Sequence, residues 1–272
     1  MTPWLELCRA AVEDLRRVLA DLPTRVEREP VLGTGLGGDD TTAIDAAAER
    51  VVVERLERLH ADGVDFTLVS EELGERLFGE SGRWWVVLDP IDGSINAKRG
   101  IPFFSLSLAV ADGPRMGDVL FGFVYDFGSG EEWTAVRGGG AHLDGVRLGE
   151  ERPKDPIEIL SLEATRTHSV ADTVPALAGL AHRLRIMGSL ALSLCHLAAG
   201  RVDGVCTLKT ARAFDIAAAQ LLIRESGAAI ELVDGVPLAE APLDVEGRSL
   251  VVAGASPEVC ARLAAAVRSR TE

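Results

Sequence analysis

The run Trp84-Trp85-Val86-Val87-Leu88-Asp89-Pro90-Ile91-Asp92-Gly93-Ser94 decides how this chain is read. Its apolar first half has the length and composition of a buried strand. The strand ends in two carboxylates three positions apart, beside a glycine and a hydroxyl. Anions placed at the end of a buried strand need cations to offset them. Mg²⁺ takes oxygen ligands of this type and keeps some of its waters. If Gly93-Ser94 opens a helix, its backbone N–H groups are presented to an anion. A hard cation beside an anion cradle points to phosphate chemistry.

Moving outward, Pro3 to Leu22 has apolar residues at helical spacing, and a second helix is expected from Thr42 to Ala61. Asp65–Val69 and Phe103–Ala111 read as strands, and Val119–Asp126 with Glu131–Arg137 as a hairpin. Thr24 to Asp40 is irregular, and its glycines suggest a mobile flap. Pro153 to Pro156 is the expected boundary between an N-terminal α+β unit, 1–152, and a C-terminal α/β unit, 153–272. Beyond it the pattern gives a strand at Ile157–Leu162, a helix at Val174–Leu184 and a helix from Ser189. A strand at Gly204–Leu208, a helix at Phe214–Ser226, strands at Ala228–Val233 and Leu250–Ala253, and a last helix from Pro257 complete it.

With 42 acidic against 28 basic residues, the net charge of −14 argues against a nucleic-acid backbone as partner. No apolar run is long enough for a membrane span, and charged residues interrupt the N-terminal apolar face, so a cytoplasmic chain is expected. Four cysteines without CxxC spacing fit a reduced compartment.

The acids fall in four places: Asp39 with Asp45, Glu71 with Glu72, Asp89 with Asp92, and Asp215. Phosphoryl transfer to water needs charge neutralisation, an activated water and an in-line approach, and paired metal ions supply all three. Taken singly, Glu71-Glu72 is equally a solvated turn, and for Asp39, Asp45 and Asp215 a helix N-cap or first-turn acid is the commoner use. Gly33-Thr34-Gly35-Leu36-Gly37-Gly38 satisfies G-x-G-x-x-G, but the charged, proline-broken segment before it is no strand, which disfavours a dinucleotide fold. The histidines are scattered, with His60 and His182 read on helices, so a zinc site is not expected. No G-x-S-x-G motif supports a serine hydrolase.

Several separated segments together resemble the inositol monophosphatase-like, Mg²⁺-dependent phosphatases, a family that includes fructose-1,6-bisphosphatases. They are Asp39 to Asp45 with Glu49, Ser70-Glu71-Glu72, Trp85 to Asn96, Gly188 to Asp203, and Ala213-Phe214-Asp215 to Gly227. The resemblance is greatest to the archaeal-type branch with dual substrates. It implies a layered αβαβα sandwich, a homodimer, and two or three Mg²⁺ ions per subunit. Glu71, Asp89 and the Ile91 carbonyl would hold one ion, and Asp89, Asp92 and Asp215 a second. Ser94 would orient the attacking water with Glu71, while Asp39 and the glycine loop would assist a weaker ion or the water. Gly93 and Ser94 N–H groups would hold the phosphate, Asp92 would also bind the substrate, and Gly188 and Ser189 would line the sugar pocket.

Where the animal enzymes carry a substrate-binding glutamate, this chain reads Leu208-Lys209-Thr210. Lys209 and Arg212 are therefore expected either to meet a second phosphate or to lie in solvent or a surface ion pair. The implied substrate is a small phosphorylated sugar or polyol, fructose 1,6-bisphosphate or inositol 1-phosphate. A 3′-phosphonucleotide or histidinol phosphate is the alternative, and a non-catalytic metal-binding regulator is the alternative of another class.

Overall fold

Val86 and Leu88 face one side of the central strand and Val87 the other, and this period of two sets the layer order of the molecule. The computed structural model describes residues 2–36, 38, 40–80, 82–149, 156–163, 166–233 and 236–271. The first half contains α1 (Thr2–Asp21), α2 (Arg25–Arg28), β1 (Val31–Thr34), β2 (Asp40–Thr42), α3 (Ala43–Ala61), β3 (Phe66–Ser70), β4 (Gly74–Phe78) and β5 (Trp84–Asp92). It continues through α4 (Ser94–Arg99), β6 (Ser105–Ala111), β7 (Val119–Asp126), β8 (Glu132–Val136), β9 (Gly140–Leu143) and β10 (Val146–Arg147). The second half contains β11 (Ile157–Glu163), α5 (Thr167–Leu177), β12 (Ala181–Arg185), α6 (Leu190–Ala198), β13 (Gly204–Thr207), α7 (Ala213–Glu225), β14 (Ala229–Leu232), β15 (Val251–Gly254) and α8 (Pro257–Thr271).

An eight-stranded sheet runs β10-β9-β8-β7-β6-β5-β3-β4, and a five-stranded sheet runs β12-β11-β13-β15-β14. Helices α1 and α3 cover one face of the larger sheet, packing Leu15, Ile44, Val52 and Leu56 against Phe66, Leu88, Leu108 and Phe123. Its other face, with Val69, Val87, Ala109 and Trp133, meets α6 and α7. The far side of that helical pair packs on Val205, Val251 and Ala253 of the smaller sheet. Leu160, Leu162 and Val252 on its outer face are covered by α5 and α8. The result is the αβαβα sandwich that the resemblance implies.

Three expectations change. The helix expected at Val174–Leu184 ends at Leu177, and Ala181–Arg185 is a strand parallel to β11. Pro175 lies in its last turn and Gly179 follows at φ +83°, which stops the helix although apolar spacing continues. His182 accordingly sits on a strand and is exposed. The glycine-rich flap carries a short hairpin, β1 against β2, and Gly74–Phe78 forms an edge strand that the sequence reading lacked. The boundary expected at 152/153 lies outside the described residues; strands of the larger sheet precede it and strands of the smaller follow it. Among the described residues no helix is long and apolar enough to cross a membrane.

Candidate metal centre and active site

Strands β3 and β5 run parallel with Ser70 opposite Leu88, so Glu71 and Asp89 emerge together from the same ends of neighbouring strands. Two residues three apart on a regular strand point to opposite faces. Here Asp89 pairs with Ser107 and Asp92 with Ser105, so three steps on β5 oppose two on β6. This bulge turns both carboxylates to the α6–α7 side. Pro90, which has no N–H to give a ladder, sits inside it, and Asp89 Oδ1 accepts the N–H of Ile91 at 3.0 Å.

The chain then turns through Gly93 at φ +93°, and α4 begins at Ser94, as the cradle reading expected. A Cβ on Gly93 would lie 3.0 Å from the Gly188 carbonyl and 3.1 Å from that of Phe103, so only glycine fits. The Gly93 carbonyl accepts from Asn96 and Ala97 N–H. Helix geometry leaves the N–H groups of Ser94 and Ile95 without an intrahelical acceptor.

Asp89 is 3% and Asp92 8% exposed, while Asp215, in the first turn of α7, is half-buried. Burial pushes the Asp89 carboxyl well up, and the charges of Glu71, Asp92 and Asp215 push it further. Asp92 is raised by burial and by Asp215, against the hydrogen bond from Ser189. Burial also raises Asp215, against its bond from the Arg212 N–H and the charges of Arg212, Lys209 and Arg248. These acids therefore repel one another within one largely buried neighbourhood. All of the donors are hard oxygens, and a divalent cation such as Mg²⁺ fits them.

Each carboxylate also has a protein partner. Glu71 Oε1 accepts from Arg212 Nη1 at 2.9 Å, Asp215 Oδ2 from the Arg212 N–H at 2.6 Å, and Asp92 Oδ2 from Ser189 Oγ and from Ala191 N–H at 2.8 Å. Among the described residues, no three His, Cys, Asp or Glu side chains are gathered at ligating spacing. The carboxylates share a neighbourhood in which each feels the others' charge, and each is hydrogen-bonded to a protein group. Arg212, expected at a second phosphate or on the surface, is 8% exposed and turned onto Glu71. Lys209 is exposed and its charge reaches Asp215. Asp39 lies outside the described residues. Asp45 serves as a first-turn acid of α3, accepting from Thr42 N–H and Oγ1.

Gly188 and Ser189 meet the acids from the second half. The Ser189 hydroxyl binds Asp92, and Asn96 Nδ2 donates to the Met187 carbonyl at 2.7 Å and to Phe103 at 2.8 Å. Gly188 has φ +91°, and a Cβ there would lie 3.0 Å from the Asn96 amide. Beneath this turn sits Glu163, which the sequence reading missed. Its Oε2 accepts the Gly188 N–H at 3.0 Å, and its Oε1 accepts Ser193 Oγ at 2.6 Å and Ser161 Oγ at 3.2 Å. It belongs to no motif; its one signal was an acid at a strand end. Glu49, on α3, is 4% exposed and accepts the Ser70 hydroxyl, fixing the residue before Glu71.

The profile of the inositol monophosphatase family matches residues 4–272. The chain belongs to this family. An inositol monophosphatase relative from Archaeoglobus fulgidus, named fructose-1,6-bisphosphatase/inositol-1-monophosphatase, is 32% identical over 252 residues, covering 92% of each chain. The Nus factor SuhB of Pasteurella multocida is 34% identical, covering 84% of each. Among solved structures, an inositol monophosphatase-fructose 1,6 bisphosphatase superposes with a TM-score of 0.83 at 27% identity. That match covers 97% of this chain and 99% of the other.

Proposed function

We propose that this family member is a Mg²⁺-dependent phosphomonoester hydrolase acting on sugar or inositol phosphates, fructose 1,6-bisphosphate and inositol 1-phosphate being the substrates to test first. The observation that carries the reading is the bulge at Asp89–Asp92, which aims both carboxylates at the pocket shared with Glu71 and Asp215. The names of the archaeal relatives support the substrate class.

In this reading Glu71, Asp89, the Ile91 carbonyl, Asp92 and Asp215 hold the cations, two per subunit, with Asp39 available to a third. Mg²⁺ bound there supplies charge neutralisation for the phosphoryl oxygens and lowers the pKa of water. Ser94 and Glu71 orient the attacking water by hydrogen bonding. The N–H groups of Gly93, which caps α4, and of Ser94, its first residue, hold the phosphate, where the positive end of the helix favours an anion. Gly188 and Ser189 line the polyol side, and Lys209 faces a second phosphate. Water attacks phosphorus directly, and no phosphoenzyme forms. A cytoplasmic homodimer belongs to the same reading.

The test is inorganic phosphate release from inositol 1-phosphate, fructose 1,6-bisphosphate, a 3′-phosphonucleotide and histidinol phosphate, each with Mg²⁺ and with EDTA. Mg²⁺-dependent release from either of the first two supports the reading. Release from none, by a folded protein, removes it in favour of a non-catalytic regulator.

A further inference from the structure

Arg212 engages both sides of the acid cluster with different atoms. Its backbone N–H binds Asp215, 2.6 Å away, and its guanidinium binds Glu71, 2.9 Å away. The first contact is local, within one helical turn; the second spans 141 residues of sequence. The guanidinium also lies 5.3 Å from the centroid of the Phe214 ring, and the side chain is 8% exposed. A guanidinium keeps its charge at any ordinary pH, and burial strengthens its interaction with neighbouring anions.

The side chain therefore brings a fixed positive charge to a carboxylate assigned above to the cations. It also takes one of the two Glu71 oxygens. A divalent ion arriving at the cluster meets that charge and shares that carboxylate. We propose that Arg212 is a built-in counter-ion that competes with the divalent cation for Glu71 and so sets the metal affinity of the site. The inference rests on the metal-binding reading given under Proposed function.

The two effects of removing the guanidinium have opposite signs. Without metal, Glu71 and its neighbours lose a buried partner, so the fold weakens. With metal, the site is more negative and Glu71 Oε1 is released from the guanidinium, so the ion is held more tightly. A residue that merely scaffolds Glu71 would give the other pattern, with stability and metal affinity falling together.

The experiment is calorimetric titration of MgCl₂ into EDTA-stripped, dialysed protein, paired with thermal melting in EDTA. It compares wild type with Arg212→Met, which keeps the backbone N–H and the length of the stem. Arg212→Met is expected to bind Mg²⁺ about tenfold more tightly, for a loss of one opposing charge at this range, and to melt lower in EDTA. Arg212→Lys, which retains the charge, is expected to stay near wild type in affinity. Should Arg212→Met not fold without metal, Arg212→Gln, which keeps a donor for Glu71, carries the same expectation. Unchanged or weaker Mg²⁺ binding in the neutral variant overturns the inference. Absence of any Mg²⁺ heat with wild type would instead overturn the metal-binding reading itself.

Discussion

Asp89 and Asp92 lie on one face of their strand although three positions separate them, because Ser107 and Ser105 opposite them are only two apart. The metal-binding role proposed for them rests on that shared face. Asp92→Asn keeps an oxygen to accept from Ser189 and Ala191, so the turn at 187–191 should hold. Phosphate release should fall on the order of 10³-fold, the loss expected when several kcal/mol of metal-derived stabilisation is removed. Turnover within tenfold of wild type, measured on protein with a normal melt, would remove Asp92 from the site.

Glu163 holds the Gly188 N–H, so its effect on the substrate is expected to pass through that turn. Glu163→Ala should raise KM about tenfold, in line with about 1.5–3 kcal/mol for hydrogen bonds to a charged acceptor, and leave kcat within about threefold. Glu163→Gln should recover most of the loss, since its amide can accept from Gly188 and donate to Ser193. If kcat falls while KM stays fixed, Glu163 does not act by placing the turn.

Glu49 has its carboxyl pushed up from 4.5 to about 7, chiefly by burial and further by the charges of Glu72 and Asp45, against the Ser70 hydrogen bond. A raised carboxyl stays protonated in the fold after the unfolded chain has released its proton. Its stabilising contribution is thus complete below about pH 4.5 and is lost as pH climbs through 7. Over that window the loss is about 3 kcal/mol. Glu49→Gln should not suffer it, so the stability of the variant relative to wild type should improve by about that amount from pH 4.5 to 8. Denaturant titrations in EDTA at the two pH values read the difference directly; parallel pH slopes would count against it.

Lys209 is exposed, and its charge reaches Asp215. Lys209→Ala should raise KM for fructose 1,6-bisphosphate while leaving that for inositol 1-phosphate nearly unchanged, because only the first carries another phosphate to meet it. Equal effects on both substrates, from initial rates at saturating Mg²⁺, would place the lysine elsewhere.

Local chemistry made part of this legible. Acids at the end of an apolar strand, and an aspartate opening a helix, announce themselves within a few residues, as Asp89, Asp92 and Asp215 do. The bulge does not, because the spacing of Asp89 and Asp92 is the same in a regular strand and a bulged one. Strand β4 has a charged, exposed middle and pairs on one side only, so it shows no apolar alternation. Strand β12 was hidden by apolar residues whose helical spacing runs on past Gly179. Glu163 meeting Gly188, and Arg212 meeting Glu71, are contacts made by the completed fold, and no local pattern encodes either.

The helical pair α6 and α7 lies between the two sheets and packs on both. A chain cut ahead of residue 156 would strand Val69, Val87, Ala109 and Trp133 against water, and its remainder would expose the opposite flank of the same helices. Neither fragment is expected to fold as a self-sufficient module. Split-protein reconstitution should thus succeed only when both pieces collapse together, and tandem fusions or circular permutants must preserve that middle layer whole.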